Sequence, residues 1–325
     1  FILLTAQTER ERLAEGLENG ADDFLSKPFN VTELRARIRA GVRVVDAQRD
    51  MIAKNRLLRR ALDDLEAAQS AIERDLKEAR NFQQALVPER YIALPGAEVS
   101  MLYQPSGHVG GDLVGMFQVS ETRYGIYSID VAGHGIASAL MTARVAANLS
   151  ASSPEHNVAL VPSAHGGFEM APPSQVCRRL NHLLVNEFEM DKYLTMLIAE
   201  VDVDTGSVVF AQAGHPSPLL QKRGGKVEFL SSAGLPVGLF EDADYEDQHL
   251  QIDSGDRLIF YSDGITECPD PSGQLLDETG LRDMVVEQGA ASGLEFVNGL
   301  STALERHSGR SDFPDDLSAI IFHRL

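Results

Sequence analysis

Tyr124-Gly125-Ile126-Tyr127-Ser128-Ile129-Asp130-Val131-Ala132-Gly133-His134-Gly135 is the stretch on which the reading of the larger part of this chain turns. Tyr124 to Ile129 is a short, β-rich run that predicts a strand carrying Asp130 at its end; a glycine turn follows, then a helical pattern from Ile136 to about Leu149. A second run, Arg257 to Ser262, predicts a strand that ends at Asp263-Gly264. Asp112 stands in Gly110-Gly111-Asp112 and Asp315 in Pro314-Asp315-Asp316-Leu317-Ser318. Such strands bring carboxylates that are distant in sequence to one rim of a core. There they repel one another, and burial raises the cost of each charge. Either their pKa values rise or a cation sits among them, and a donor set made only of oxygen favours a hard ion, Mg²⁺ or Mn²⁺.

Taken singly, each motif has a plainer reading. Asp263-Gly264 is a turn, Gly110-Gly111-Asp112 a bulge or a loop with a capping aspartate, and Asp315-Asp316 a solvated pair before the final strand. The four together, in one order and at long spacing, are what carry the metal-site reading.

Working outward, the segment holding these motifs, residues 88–325, is rich in strand signals. Tyr193 to Asp202 and Ser207 to Ala213 flank a turn at Asp204-Thr205-Gly206, and Leu219 to Leu230 folds back at Gly224-Gly225. Helical stretches are expected at Ser174 to Asn186, Gly280 to Gln288 and Gly293 to His307, and a last strand at Leu317 to His323. Antiparallel strands with clustered helices predict an α+β layered sandwich. Ser152 to Pro173, rich in Pro, Gly, Ser and His, reads as a mobile insertion.

Ahead of it, residues 46–87 are charged, free of glycine and free of proline until Pro88 ends the run. Val44, Met51, Leu58, Leu65, Ile72, Ala79 and Leu86 recur every seven residues, with Gln48, Asn55, Leu62, Gln69, Leu76 and Gln83 as their partners. A sustained heptad with a half-polar seam predicts a coiled-coil linker and a homodimer; one long helix lying on its own domain is the other reading. Residues 1–45 read as strand (Phe1 to Leu4), helix (about Glu9 to Asn19), strand (Asp23 to Ser26) and helix (about Val31 to Val45), the second helix capped by Asn30. This α/β rhythm, opening on what reads as the end of a strand, is expected to belong to a domain whose earlier part lies outside the chain.

Composition bounds the function. The chain has 325 residues, 43% of them hydrophobic, and no apolar run near the roughly 20 residues that span a bilayer. A net charge of −19 opposes binding to nucleic acid or to an anionic membrane. Cys177 and Cys268 stand alone, which reads as reduced thiols in a cytoplasmic protein.

The set of motifs resembles the metal-dependent PPM (protein phosphatase 2C) family of Ser/Thr protein phosphatases, in its SpoIIE-like branch. The match rests on Gly110-Gly111-Asp112, on Asp130 to Leu140, on Ala213-Gly214-His215-Pro216, on Gly255 to Glu267, on Asp315-Asp316-Leu317-Ser318 and on Phe82 to Pro88. The resemblance implies an α-β-β-α sandwich with two Mn²⁺ or Mg²⁺ ions at one edge. By position, Asp130 would bridge the ions, the Val131 carbonyl and Asp112 would serve one, and Asp263 and Asp315 the other, with Asp316 in support. His134 would either protonate the leaving serine oxygen or be a turn histidine bonded to backbone; His215 reads as structural. Gly115 departs from the branch, which commonly has an acidic residue there. The implied substrate is a phosphorylated anti-sigma-factor antagonist of the STAS type. A catalytically silent, partner-sequestering module that keeps the metals is the alternative, and a nucleotide cyclase leaves three of the aspartates unexplained.

Residues 1–45 resemble the last third of a response-regulator receiver domain, through Thr5-Ala6 after the first strand and Lys27-Pro28 after the second. The resemblance implies a cis peptide after the lysine, and a phosphoacceptor aspartate upstream of this chain.

Overall fold

The computed structural model describes residues 1–6, 14–15, 17–86, 89–133, 135–150, 152–164, 166–186, 192–231 and 233–325. They form two compact units, Phe1–Arg74 and Asp75–Leu325.

In the first unit β1 (Ile2–Thr5) pairs in parallel with β2 (Asp23–Ser26). The helix expected at about Glu9 to Asn19 lies largely outside the described residues. Helix α1 (Val31–Gln84) starts where Asn30 accepts the Thr32 amide at 2.8 Å, the capping expected of it. Arg37 then reaches both carboxylate oxygens of Asp23, at 2.6 and 2.8 Å, and ties the first turns of the helix to β2. The Lys27–Pro28 peptide is cis.

One expectation needs correcting. The helix after Lys27-Pro28 and the heptad segment are a single helix of 54 residues, with no break near residue 45. Gly41 is its one glycine and it contains no proline, so nothing in the chain stops propagation once the helix has started. Met51, Leu58, Leu62, Leu65 and Ile72 stand exposed along it. The heptad ends earlier than its spacing indicates: within the second unit Gln83 is buried against Gly110, and Leu86, beyond the helix, packs on that unit's core.

The second unit is built on two antiparallel sheets. The five-stranded sheet has the order β13 (Gln248–Gln251), β10 (Ser207–Ala213), β9 (Leu194–Asp202), β6 (Arg123–Val131), β5 (Leu113–Gln118). The six-stranded sheet runs β12 (Val227–Phe229), β11 (Leu219–Gln221), β14 (Arg257–Tyr261), β15 (Leu317–Arg324), β4 (Ala97–Gln104), β3 (Tyr91–Leu94). Strand alternation sorts their side chains into layers. Ile126, Leu197, Phe260, Ile320 and Phe322 fill the space between the sheets. Ile129, Val131 and Met196 face the other way and pack on α2 (Ile136–Asn148) and α3 (Pro173–Asn186) through Met141, Val145 and Leu180. On the opposite side Ile259, Ala319 and Ile321 pack on α5 (Asp277–Glu287) and α6 (Gly293–Ser308) through Leu281, Phe296 and Leu300. The result is an α-β-β-α sandwich.

The insertion expected to be mobile is ordered in its described residues. A 3₁₀ turn at Pro154–His156 leads into a hairpin of β7 (Leu160–Pro162) and β8 (Phe168–Met170). Ala159, Leu160, Met170 and Ala171 are buried with the α2 and α3 side chains. Its apolar residues were too sparse to show a period, yet they are the ones that hold it.

Candidate metal centre

Four separate elements carry the aspartates to one end of the sandwich. β5 and β6 run antiparallel with Leu113 opposite Ile129. One residue further on, Asp112 and Asp130 come opposite each other, and the Val131 amide reaches the Gly111 carbonyl at 3.4 Å. Because Tyr124 and Ile126 point between the sheets, the period of two puts Ser128 and Asp130 on that inward face as well. Asp263 opens the one-turn helix α4 (Asp263–Thr266) directly after β14. Asp315 precedes β15, and its Oδ1 accepts the Asp316 amide at 2.8 Å. The last two segments are pressed together: a Cβ on Gly264 would lie 2.1 Å from the Asp316 carbonyl, so only glycine fits.

Asp112 is buried, Asp130 and Asp263 are half-buried, and Asp315 is exposed, so the cluster runs from the floor of the rim to its mouth. Burial, reinforced by the charges of Asp130 and Asp316, pushes Asp112 well above the carboxylate range. Asp130 rises to about 7, first through burial and then through Asp263 and Asp315. Asp263 is raised by burial, Glu267 and Asp315. The Asp112 Oδ2 atom is buried without a hydrogen-bond partner. An orphaned carboxylate oxygen beside other carboxylates is what a cation would satisfy, and the oxygen-only donors suit a hard divalent ion. The residues present therefore fit such a group. Among the described residues no three acidic, histidine or cysteine side chains already converge as a finished coordination shell; the aspartates are linked through ladder, turn and charge.

Side-chain to backbone bonds surround the cluster, and of the residues that make them Thr142 and Lys192 gave no sequence signal. Asp316 spends its carboxylate on backbone, accepting Ser106 N at 2.7 Å, Gly111 N at 2.6 Å and Asp112 N at 3.4 Å. Thr142 of α2 donates to the Gly111 carbonyl at 2.6 Å. Lys192 donates to the Ala132 carbonyl at 2.7 Å. Gln83 holds both polar atoms of the Gly110 backbone. The Gly115 position, where the resembled branch carries an acid, is closed by Tyr127: a Cβ there would lie 2.4 Å from the Tyr127 hydroxyl.

His134 lies outside the described residues. His215 is buried and neutral, pushed down to about 3 by burial, with Nδ1 against Thr195 Oγ1 at 2.8 Å and Nε2 against Ser128 Oγ at 2.9 Å. It fastens β6 to β9, which accords with a structural role. Cys177 and Cys268 are free and buried, and burial lifts the Cys177 thiol to about 12. No helix among the described residues is long and apolar enough to cross a membrane.

The family described as Stage II sporulation protein E (SpoIIE) matches residues 120–325. The phosphoserine phosphatase RsbP of Bacillus subtilis (strain 168) is 31% identical over 204 residues, 63% of this chain and 48% of RsbP. RsbU, a phosphoserine phosphatase of the same organism, is 27% identical over 265 residues, 80% of this chain and 73% of RsbU. This chain thus spans about half the length of RsbP. A short N-terminal stretch of 50 residues, 15% of this chain, is 43% identical to the transcriptional regulatory protein KdpE of Staphylococcus aureus (strain NCTC 8325 / PS 47), covering 22% of it. Among solved structures, the SiaA-PP2C domain of Pseudomonas aeruginosa superposes with a TM-score of 0.64 at 21% identity, covering 80% of this chain and 99% of that domain. That likeness establishes the fold.

Proposed function

Since the chain belongs to the SpoIIE family, we propose that it is a metal-dependent phosphoprotein phosphatase that hydrolyses phosphoserine or phosphothreonine on a partner protein. The observation that carries this reading is the rim of mutually repelling aspartates, with Asp112 and Asp130 driven far from their ordinary ionisation. In this reading Asp112, Asp130, Asp263, Asp315 and the Val131 carbonyl hold two Mn²⁺ or Mg²⁺ ions. When bound, such ions lower the pKa of water and offset the charge of the phosphoryl oxygens.

The chain's own residues supply the rest. Asp316, Thr142 and Gln83 fix the turn that bears Asp112. Lys192 anchors the Ala132 carbonyl, two residues before His134, and His134 gives a proton to the departing serine oxygen. No covalent intermediate on the protein is needed.

The substrate we propose is a phosphorylated anti-sigma-factor antagonist of the STAS type, met in the cytoplasm. Residues 1–45 are read as the end of a receiver domain, 46–87 as the linker and 88–325 as the phosphatase. The exposed Met51, Leu58, Leu65 and Ile72 support a homodimer through the linker. The deciding experiment is phosphate release from a phosphoserine peptide and from p-nitrophenyl phosphate, with and without Mn²⁺, beside Asp263→Asn. Turnover that requires Mn²⁺ and disappears in the variant supports the phosphatase. Mn²⁺ binding without turnover on any phosphoprotein would leave a sequestering module instead.

A further inference from the structure

One row of the six-stranded sheet is polar from strand to strand. Gln221 on β11 stands opposite Arg257 on β14, Arg257 opposite His323 on β15, and His323 opposite Glu98 on β4. The row looks toward α5 and α6. Gln221 Nε2 donates to the Val285 carbonyl, the Arg257 guanidinium carbon lies 5.0 Å from the Phe296 ring centre, and Glu98 accepts the Gly293 amide. Arg257 begins β14 and Asp263 follows its end, roughly 20 Å of extended chain away. The row therefore lies at the far end of the sheet from the acidic rim.

Its two buried charges are met differently. The Glu98 carboxylate is used by His323 Nδ1 at 2.8 Å, the Gly293 amide at 2.9 Å and the Tyr91 hydroxyl at 3.1 Å. Arg257, 6% exposed, meets only neutral oxygens: Nη1 donates to Gln221 Oε1 at 2.8 Å and to the Gly289 carbonyl at 3.0 Å, and Nη2 to the Ala291 carbonyl. Three of its five N–H groups are thus used, and among the described residues the other two have no acceptor. Burial presses its pKa down, and the charge of Glu98 opposes that. A buried cation with no anion bonded to it is costly.

Arg257 and His323 line a cleft of about 410 Å³. The turn after β11 borders it through Lys222 and Arg223, and the α5–α6 loop through Gly289 and Ala290. Lys222 is committed to Asp256 at 2.8 Å. Arg223 is exposed, and its stem lies over Gly255, where a Cβ would come within 2.7 Å of Arg223 Cδ. No carboxylate lines the cleft, although the chain as a whole carries a net charge of −19.

We propose that this cleft binds the phosphate group of a small molecule, at a site separate from the metal centre. The spare N–H groups of Arg257, the guanidinium of Arg223 and the His323 ring come from two strands and a turn, and a phosphate has enough oxygens to meet all three. The cleft is larger than one phosphate and is of the size that holds small ligands.

The test is calorimetry, with melting temperature alongside, on the whole chain stripped of metal, a state in which the acidic rim repels anions. The probes are ribose 5-phosphate, inorganic phosphate and succinate. Both phosphate compounds should bind, and succinate about 10-fold more weakly or not at all. Arg223→Ala should weaken phosphate binding roughly 2–5-fold, as for an exposed charge. Arg257→Leu, and Ala290→Glu, which puts a carboxylate at the exposed edge of the cleft, should each weaken it about 10-fold or more. Ribose 5-phosphate binding tighter than inorganic phosphate identifies a phosphomonoester as the ligand; equal affinities identify free phosphate. Either result supports the site.

Flat titrations and an unmoved melting temperature with both phosphate compounds overturn the proposal. Binding that Arg223→Ala and Ala290→Glu leave unchanged overturns it as well, because the anion then sits elsewhere. Succinate binding as tightly as the phosphates rules out phosphate as the recognised group. Should Arg257→Leu not fold, Ala290→Glu decides, since the Ala290 side chain makes none of the bonds that hold the row.

Discussion

The carboxylate of Asp316 accepts the amide of Gly111, 205 positions earlier in the chain, at 2.6 Å. The contact joins the start of β15 to the turn before β5, and so one sheet to the other at the acidic rim. Its partner atoms are buried, and the same carboxylate also takes Ser106 N. Asp316→Asn keeps one acceptor and turns an NH₂ group toward a backbone amide. The variant should lose about 1–3 kcal/mol in urea unfolding; a loss near zero would mean that the turn has another support.

Metal binding should depend on pH through Asp130. Its pKa is raised to about 7 in the fold, so below that value a proton occupies the group. Metal ligands must be deprotonated. The rise in melting temperature on adding Mn²⁺ should therefore grow between pH 6 and pH 8. Equal rises at both pH values would remove Asp130 from the site.

Replacing Asp130 by Asn should stabilise the metal-free protein. A folded-state pKa above the ordinary 3.8 means that the ionised form costs stability, fully above about pH 7 and not at all well below 3.8. At pH 8 the Asn variant should gain on the order of 2 kcal/mol, less than the whole shift because the site is partly solvated. It should also lose the Mn²⁺-induced rise. A variant less stable than wild type without metal would contradict the repulsion argument.

His215 gives the opposite sign at lower pH. The unfolded chain takes a proton near 6.5, whereas the folded protein resists until about 3. Its stabilising contribution is complete above pH 6.5 and is lost as the pH falls toward 3, at about 1.4 kcal/mol per pH unit. Gln does not titrate and can still pair with Ser128 and Thr195. Urea midpoints of wild type and His215→Gln should thus converge or cross as the pH drops from 7 to 4, and parallel curves would refute the neutral buried imidazole.

The linker reading has its own test. Leu65 and Ile72 are 63% and 58% exposed on α1. Leu65→Asp together with Ile72→Asp puts charges into a seam, and should convert a dimer to a monomer in light scattering while helicity by circular dichroism stays near wild type. A protein already monomeric before the change would end the coiled-coil proposal.

Much of this architecture was legible from local pattern. The runs ending at Asp130 and Asp263 are short and β-rich, and both became strands with an aspartate at or just beyond the end, although β6 continues through Val131. What stayed hidden was set by long-range side-chain to backbone bonds, which leave no period. Gln83 sat in the heptad as one more polar seam residue, yet its partner is 27 positions away. Asp316, put in support of the ligands by its place in the motif, is 5% exposed, and its backbone partners at Ser106, Gly111 and Asp112 are what the motif did not name. The uninterrupted α1 was missed for another reason: two segments of different composition, with no breaker between them, fold as one helix.

β15 is the strand that comes last in sequence, yet it lies inside its sheet, between β14 and β4. Asp315 stands two residues before its first, Leu317. During synthesis, which delivers the N-terminal part of a domain first, β4 and β14 emerge with an open slot between them, and the rim with one of its four aspartates missing. Insertion of β15 closes the sheet and completes the acidic cluster in the same event. Closing the sandwich and gathering the four aspartates at its rim are thereby one step of folding.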